Sequence, residues 1–271
     1  MSGSKLRAVL WTGVTFIVFF PLNTMYGQNA PAAPAPALAK STLAAVPPRC
    51  IVNAHDQELL TDFANLKRFK ADDDALTPTL PGLDRVVFMG DSITEGWKFD
   101  GPDGSFQRKP YLNRGISGQT TPQMLLRFRQ DVIDLKPALV VILAGTNDIA
   151  GNTGPMTPEQ TEENLKSMAD LATANGIRVV LSSILPAFDY PWSPGLAPAP
   201  KIAEINSWMS AYAAEKGYVY VDYWSAMKDD RGGLPATLSK DGVHPEPAGY
   251  AVMTPLAEAG IQKAMQSAPQ H

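Results

Sequence analysis

From Arg85 onward the chain alternates short, unbroken apolar runs with longer amphipathic stretches, and this alternation restricts the fold more than any other feature. Val86-Val87-Phe88-Met89 is such a run, ended by Gly90; Ala138 to Ala144, Ile177 to Leu185 and Tyr218 to Asp222 are three more. Runs this short suit strands covered on both faces, as in a parallel sheet. The stretches between them carry helix signals. Thr121-Pro122 opens a helix that is predicted to run to about Lys136, with proline at a first-turn position where its missing N–H costs nothing. Thr157-Pro158-Glu159-Gln160 is a capping box, and the helix it opens stops at Asn175-Gly176. Lys201 to Lys216, ended by Gly217, and Ala248 to Gln266 are predicted as two further helices. Parallel strands must be joined by crossovers, which predicts an α/β fold: a three-layer α/β/α sandwich around a central parallel sheet, flavodoxin-like in arrangement. Upstream, Leu59, Leu60, Phe63, Leu66 and Phe69 recur at helical spacing and predict a helix over Gln57–Lys70. Asp72-Asp73-Asp74 then reads as a solvated segment, since no further ligands stand at chelating spacing.

The first 48 residues follow a different logic. Lys5 and Arg7 precede an apolar run from Ala8 to Leu22 that is shorter than the roughly 20 residues a spanning helix needs. This predicts a secretory signal over residues 1–27, or an anchor if it stays uncleaved, because Met25-Tyr26-Gly27 marks a cleavage site poorly. Residues 28–48 are rich in Pro and Ala with one charge, Lys40, and predict an extended tether. The folded domain is expected over 49–271. Export would place the protein outside the cytoplasm, secreted or periplasmic, and the only membrane association foreseen is through an uncleaved signal.

Composition excludes some functions. The net charge is −4, and removing Lys5 and Arg7 with the signal takes it to −6, so a basic nucleic-acid surface is not expected. One cysteine, Cys50, rules out an internal disulfide framework, and three histidines make a His-rich metal site implausible; the serine chemistry read below requires no metal or organic cofactor.

In a parallel sheet the site lies beyond the C-terminal ends of the strands, so the loops there hold the candidate chemistry. Gly90-Asp91-Ser92 directly follows the first strand. A serine on a strand-to-helix turn is exposed beside backbone N–H groups that can hold an oxyanion, although Ser92 is equally suited to cap the helix. The Gly-x-Ser-x-Gly elbow is absent, which weighs against an ordinary α/β-hydrolase. A serine nucleophile needs a base. His271 is the last residue and His55 precedes the alternating region, which leaves His244, with Asp241 three residues before it, in Asp241-Gly242-Val243-His244-Pro245. The alternative there is an Asx-type turn with a surface histidine. Gly118, in the small-residue loop Asn113 to Thr120, could offer an unobstructed N–H, and Asn147 a side-chain amide; a tight turn and a strand-end cap are their plainer readings. Phe188, Tyr190 and Trp192 stand in the proline-rich loop Pro186 to Pro200, where they either wall a substrate cleft or anchor the loop.

These residues together resemble the SGNH hydrolase superfamily, also called GDSL-type esterases and lipases. Its serine block matches at Gly90-Asp91-Ser92, with Ile93 where the name has leucine. Its glycine block matches at Gly115-Ile116-Ser117-Gly118, its asparagine block at Gly145-Thr146-Asn147-Asp148 and its last block at Asp241-Gly242-Val243-His244. The blocks stand in order over roughly residues 85–265. The resemblance implies Ser92 as nucleophile, Asp241 and His244 as acid and base, and an oxyanion hole of Ser92, Gly118 and Asn147. Within the superfamily the likeness is nearest to bacterial esterases related to platelet-activating-factor acetylhydrolase. It implies a serine esterase acting on short acyl groups, such as acetyl on a carbohydrate, with a small-molecule or glycan ester as partner. A lysophospholipase or thioesterase is the alternative. An acyltransferase, or a catalytically dead carbohydrate-binding protein of the same fold, stands further off.

Overall fold

A computed structural model of the 271-residue chain describes residues 54–76, 84–97 and 109–267. The segments expected as signal and tether, together with Cys50, lie outside them. The sheet has five strands in the order β2-β1-β3-β4-β5, all parallel: β1 (Val86–Gly90), β2 (Tyr111–Gly115), β3 (Leu139–Leu143), β4 (Arg178–Ser182) and β5 (Val219–Val221). Because successive side chains alternate across a strand, each strand feeds two cores. Val87, Met89, Val140, Ile142, Val179 and Leu181 face one. On that side pack α4 (Thr121–Asp131), α6 (Pro158–Ala174) and α7 (Ala199–Lys216), through residues such as Phe128, Leu165 and Met209. Val86, Phe88, Leu139, Val141, Val180 and Val221 face the other, under Met253, Ala257 and Ile261 of α9 (Pro247–Gln266). The result is the three-layer sandwich predicted from the alternation.

The fifth strand, β2, is an addition to the four the sequence shows. Tyr-Leu-Asn-Arg-Gly lacks an apolar run because it forms the edge of the sheet, where only Arg114 and Gly115 are buried. The expected small-residue loop from Asn113 therefore begins only after Gly115. Of three short helices that start at or just after strand ends, α3 (Ser92–Glu95) is the one expected after the strand-to-helix turn at Ser92, whereas α5 (Thr146–Ala150) and α8 (Tyr223–Met227) were not foreseen. At four or five residues they are too short for a periodic signal.

The region before the sheet departs from expectation. The helix expected over Gln57–Lys70 is instead α1 (Ala54–Thr61), a series of turns and then α2 (Lys70–Asp74). Asp62 breaks it, because its carboxylate accepts from the Leu66 and Lys67 backbone N–H groups at 2.8 and 3.1 Å, and Asn65 adopts a left-handed φ of 53°. The acidic run is not simply solvated. Asp72–Asp74 form the end of α2, and Asp73 makes an ion pair with the buried Arg114 of β2.

Candidate active site

The first loop holds Ser92 at the start of α3. Asp91 caps this helix, its Oδ1 accepting from Ile93 N–H at 2.9 Å, so the serine is left free of the capping role. Such a sharp turn needs the helix to lie hard against the sheet. At Gly115, the end of β2, an added Cβ would stand 2.1 Å from the Glu95 backbone nitrogen, and only glycine permits that approach.

Ser92 and the loop before α9 meet from opposite ends of the chain. The Ser92 Oγ lies 2.8 Å from His244 Nε2, and His244 Nδ1 lies 2.6 Å from Asp241 Oδ2. The other oxygen of Asp241 accepts from the backbone N–H groups of Val243 and His244 at 2.9 and 2.8 Å and from the Ser239 hydroxyl at 3.0 Å. Burial pushes this carboxyl up, but the hydrogen bonds from the His244 ring and from the two backbone N–H groups outweigh it and hold it at about 2. An ionised carboxylate only accepts, so His244 Nδ1 is the protonated nitrogen and Nε2 is left to accept from the serine hydroxyl. His55 lies in α1 and His271 outside the described residues.

In the loop after β2, Gly118 has a φ of +76°. An added Cβ there would meet only Asn152 Nδ2, at 3.8 Å, so the backbone conformation rather than lack of space calls for glycine. Asn147 is buried within α5, not at a strand end. Its Nδ2 donates to the Gln119 carbonyl at 3.0 Å and makes a long 3.4 Å contact with Asp91 Oδ2, so only this second, loosely held proton is available to a ligand. Asp91 is fully buried, and burial pushes its carboxyl up to about 7 against the pull of the Ile93 N–H.

The three aromatic residues of the proline-rich loop separate. Trp192 is 43% exposed, and its ring lies 5.9 Å from that of His244. Tyr190 is fully buried and stacks against Trp192 with centroids 5.1 Å apart, so it lies beneath Trp192 and is not exposed beside His244. Phe188 sits under the Arg231 guanidinium instead. Sequence reasoning missed Asn152, which donates to both the Gly118 carbonyl and Asn147 and accepts from Trp192. It also missed Arg127, buried and donating to the Gly90 carbonyl and to Gln119 at 3.0 and 2.5 Å. Neither carries a motif signal; the Gly151-Asn152 step after the Asn147 block was the only local hint. A groove of about 500 Å³ reaches Gly118 and Asn152, with Phe63, Arg68, Glu95 and Ser117 on its other walls. Among the described residues no group of three His, Cys, Asp or Glu side chains could hold a metal ion, and no helix is long and apolar enough to cross a membrane.

Comparison with known proteins gives a concordant result. The GDSL-like lipase/acylhydrolase family matches residues 88–252, more than half the chain. The crystal structure of a GDSL-like lipase from Bacteroides thetaiotaomicron is 48% identical with a TM-score of 0.72, covering 74% of this chain and 99% of its own. The esterase TesA of Pseudomonas aeruginosa is 35% identical over 135 residues, which are 49% of this chain and 60% of TesA. An uncharacterised lipoprotein of Bacillus subtilis, YqeF, is 32% identical over 124 residues, 40% of this chain and 51% of its own. The chain thus spans little more than half the length of the two curated relatives.

Proposed function

Because the chain belongs to the GDSL-like lipase/acylhydrolase family, we propose that it is a serine carboxylic ester hydrolase working through an acyl-enzyme. The observation that carries this reading is the unbroken hydrogen-bonded chain Ser92 Oγ, His244 Nε2, His244 Nδ1, Asp241 Oδ2. In it Ser92 Oγ attacks the ester carbonyl carbon while His244 Nε2 takes the hydroxyl proton, and Asp241 holds the ring and stabilises the imidazolium. The tetrahedral oxyanion is held by the Ser92 and Gly118 N–H groups and the Asn147 amide. The carbon–oxygen bond to the alcohol then breaks, the His244 proton passes to the leaving oxygen, and water repeats the sequence on the acyl-serine.

The alcohol must leave beside His244, which puts it against Trp192. An exposed indole face there suits a sugar ring, with apolar stacking and solvent on the other side. Short acyl groups such as acetyl on a carbohydrate are therefore the substrates we favour over lysophospholipid or thioester. We further propose that residues 1–27 direct export and 28–48 tether the hydrolase domain of 49–271 outside the cytoplasm. N-terminal sequencing of protein recovered there should start near Gln28, and an intact Met1 would favour an anchor.

The test of the mechanism is a fluorophosphonate probe followed by mass spectrometry. A single adduct on Ser92 is expected; an adduct on Ser117 or Ser183 would overturn the assignment. A panel of p-nitrophenyl esters of rising chain length, beside acetylated sugars and lysophospholipids, separates the substrate classes. Acyl transfer to an added sugar would show as a transferred-acyl product.

A further inference from the structure

Through the candidate oxyanion donors Gly118 and Asn147 runs a second hydrogen-bonded chain, and its Asn152 has no part in the proposed mechanism. It starts at Trp192, whose indole Nε1–H donates to Asn152 Oδ1 at 3.1 Å. Asn152 Nδ2 then donates twice, to the Gly118 carbonyl at 3.1 Å and to Asn147 Oδ1 at 2.9 Å. Asn147 Nδ2 continues the chain to the Gln119 carbonyl at 3.0 Å.

Both ends of this chain have a fixed sense. An indole nitrogen can only donate, and a backbone carbonyl can only accept. Two amide groups lie between them, and a side-chain amide can in general present either end to a neighbour. Here only one arrangement satisfies every contact: Asn152 must turn its oxygen to Trp192 and its NH2 inward, and Asn147 must turn its oxygen to Asn152. The Asn147 NH2 is thereby directed to Gln119 and towards Asp91, next to Ser92. The same Asn152 amide holds the carbonyl of Gly118, the residue whose N–H is the candidate donor and whose backbone is left-handed.

We propose that Asn152 is a positioning residue that, through the Gly118 carbonyl and Asn147 Oδ1, holds the backbone at Gly118 and the Asn147 amide in register for the oxyanion, and that the Trp192 indole N–H holds Asn152 in turn. This rests on the ester-hydrolase reading above. Asn152 itself touches no reacting atom. It acts by keeping two donors preorganised, so that they need no rearrangement as charge develops on the carbonyl oxygen. Trp192 then has two tasks: its ring lies beside His244, and its N–H supports Asn152.

The test compares Asn152→Asp, Asn152→Ala and Trp192→Phe with Asn147→Ala, on whichever p-nitrophenyl ester the wild-type enzyme turns over best. Aspartate keeps an acceptor for Trp192 but cannot donate to Gly118 or Asn147, and phenylalanine keeps a ring but loses the N–H. Asn152→Asp is expected to lower kcat roughly 10- to 100-fold with little change in KM, less than the roughly 100- to 1,000-fold loss of a donor itself. Trp192→Phe should lower kcat about 3- to 10-fold, in line with loss of one hydrogen bond acting through a second residue. Affinity for a tetrahedral boronate inhibitor should fall in step with kcat/KM, whereas thermal stability should not. In an Asn147→Ala background the Asn152→Asp loss should shrink, since one of the groups it positions is gone. A folded Asn152→Asp or Asn152→Ala enzyme with wild-type kcat, or losses that multiply fully with Asn147→Ala, would overturn the proposal. Trp192→Phe with wild-type kcat would remove Trp192 from it. If Asn152→Asp does not fold, Asn152→Ala and Trp192→Phe carry the same test. A wild-type protein inert toward every ester would instead sink the hydrolase reading itself.

Discussion

At the scale of single residues, the site is decided by which groups are charged and which nitrogen carries the proton. Asp241 is held at about 2 and so fixes the His244 tautomer. Asp241→Asn should keep the fold yet lower kcat on the order of 10⁴-fold, because an amide can pair with the wrong tautomer. His244→Ala should cost at least as much, while His55→Ala leaves the rate unchanged; steady-state kinetics on variants with native circular dichroism decides this. A second carboxylate, Asp91, behaves in the opposite way. Burial raises it to about 7, and burial likewise raises Asp148 to about 6, against hydrogen bonds from Thr121. A carboxyl raised on folding stabilises the protein below its unfolded value, near 4, and that stability is lost as the pH climbs through the folded value. Stability should therefore decline between about pH 4 and pH 7, and Asp91→Asn, which can still cap α3, should flatten the decline by at most about 4 kcal/mol. Chemical denaturation at several pH values gives the slope, and an unchanged slope would refute the burial argument. Asp241 acts at the other end: its stabilisation is present above about pH 4 and is lost as the pH falls towards 2.

At the scale of elements, short helices placed at strand ends bring the chemistry into position. α3 can begin at Ser92 only because β2 ends in a residue without a side chain. Gly115→Ala would put its Cβ 2.1 Å from the Glu95 nitrogen, a backbone atom that cannot move aside without shifting the helix. It should lower stability by about 1 to 3 kcal/mol, read from the urea midpoint, and reduce kcat as Ser92 moves relative to His244. A variant with wild-type stability and rate would show that α3 yields freely. The capping box at Thr157 illustrates the contrasting case of an element specified locally. Thr157 and Gln160 satisfy each other's N-terminal N–H groups as their spacing predicts, at 2.9 and 3.3 Å, and α6 starts at the next residue. The Gln57–Lys70 pattern had comparable apolar periodicity but no such start signal. There Asp62 bonded the backbone instead, leaving Leu60, Phe63 and Leu66 exposed.

At the scale of the whole molecule, Arg127 joins the parts. From α4 it pairs with Asp131 at 2.9 Å, and it donates to the end of β1 and to the Gln119 side chain beside the site, all without exposure to water. Arg127→Met should destabilise by about 3 to 5 kcal/mol, because it strands the buried Asp131 charge. Adding Asp131→Asn should recover only part of this, since the bonds to Gly90 and Gln119 stay broken; full recovery in thermal unfolding would confine the role of Arg127 to the ion pair. None of this was legible in the sequence, where Arg127 reads as one charge on an amphipathic helix. What the sequence determined by itself was the alternation of strands and helices, hence the layered parallel sheet, and the four short blocks whose chemistry marks a candidate site. Those follow from side-chain type and spacing along the chain, which local periodicity and turn chemistry express directly. Only the tertiary structure decided the edge strand β2, the 2.8 Å contact that joins Ser92 to the histidine expected as its base, 152 residues later, and the Trp192–Asn152 link. It also separated Trp192, at the site, from Tyr190 beneath it and Phe188 beside Arg231. Each of these depends on which distant segments come to lie against one another once the sheet has formed, and a sequence carries no periodic signal for such contacts.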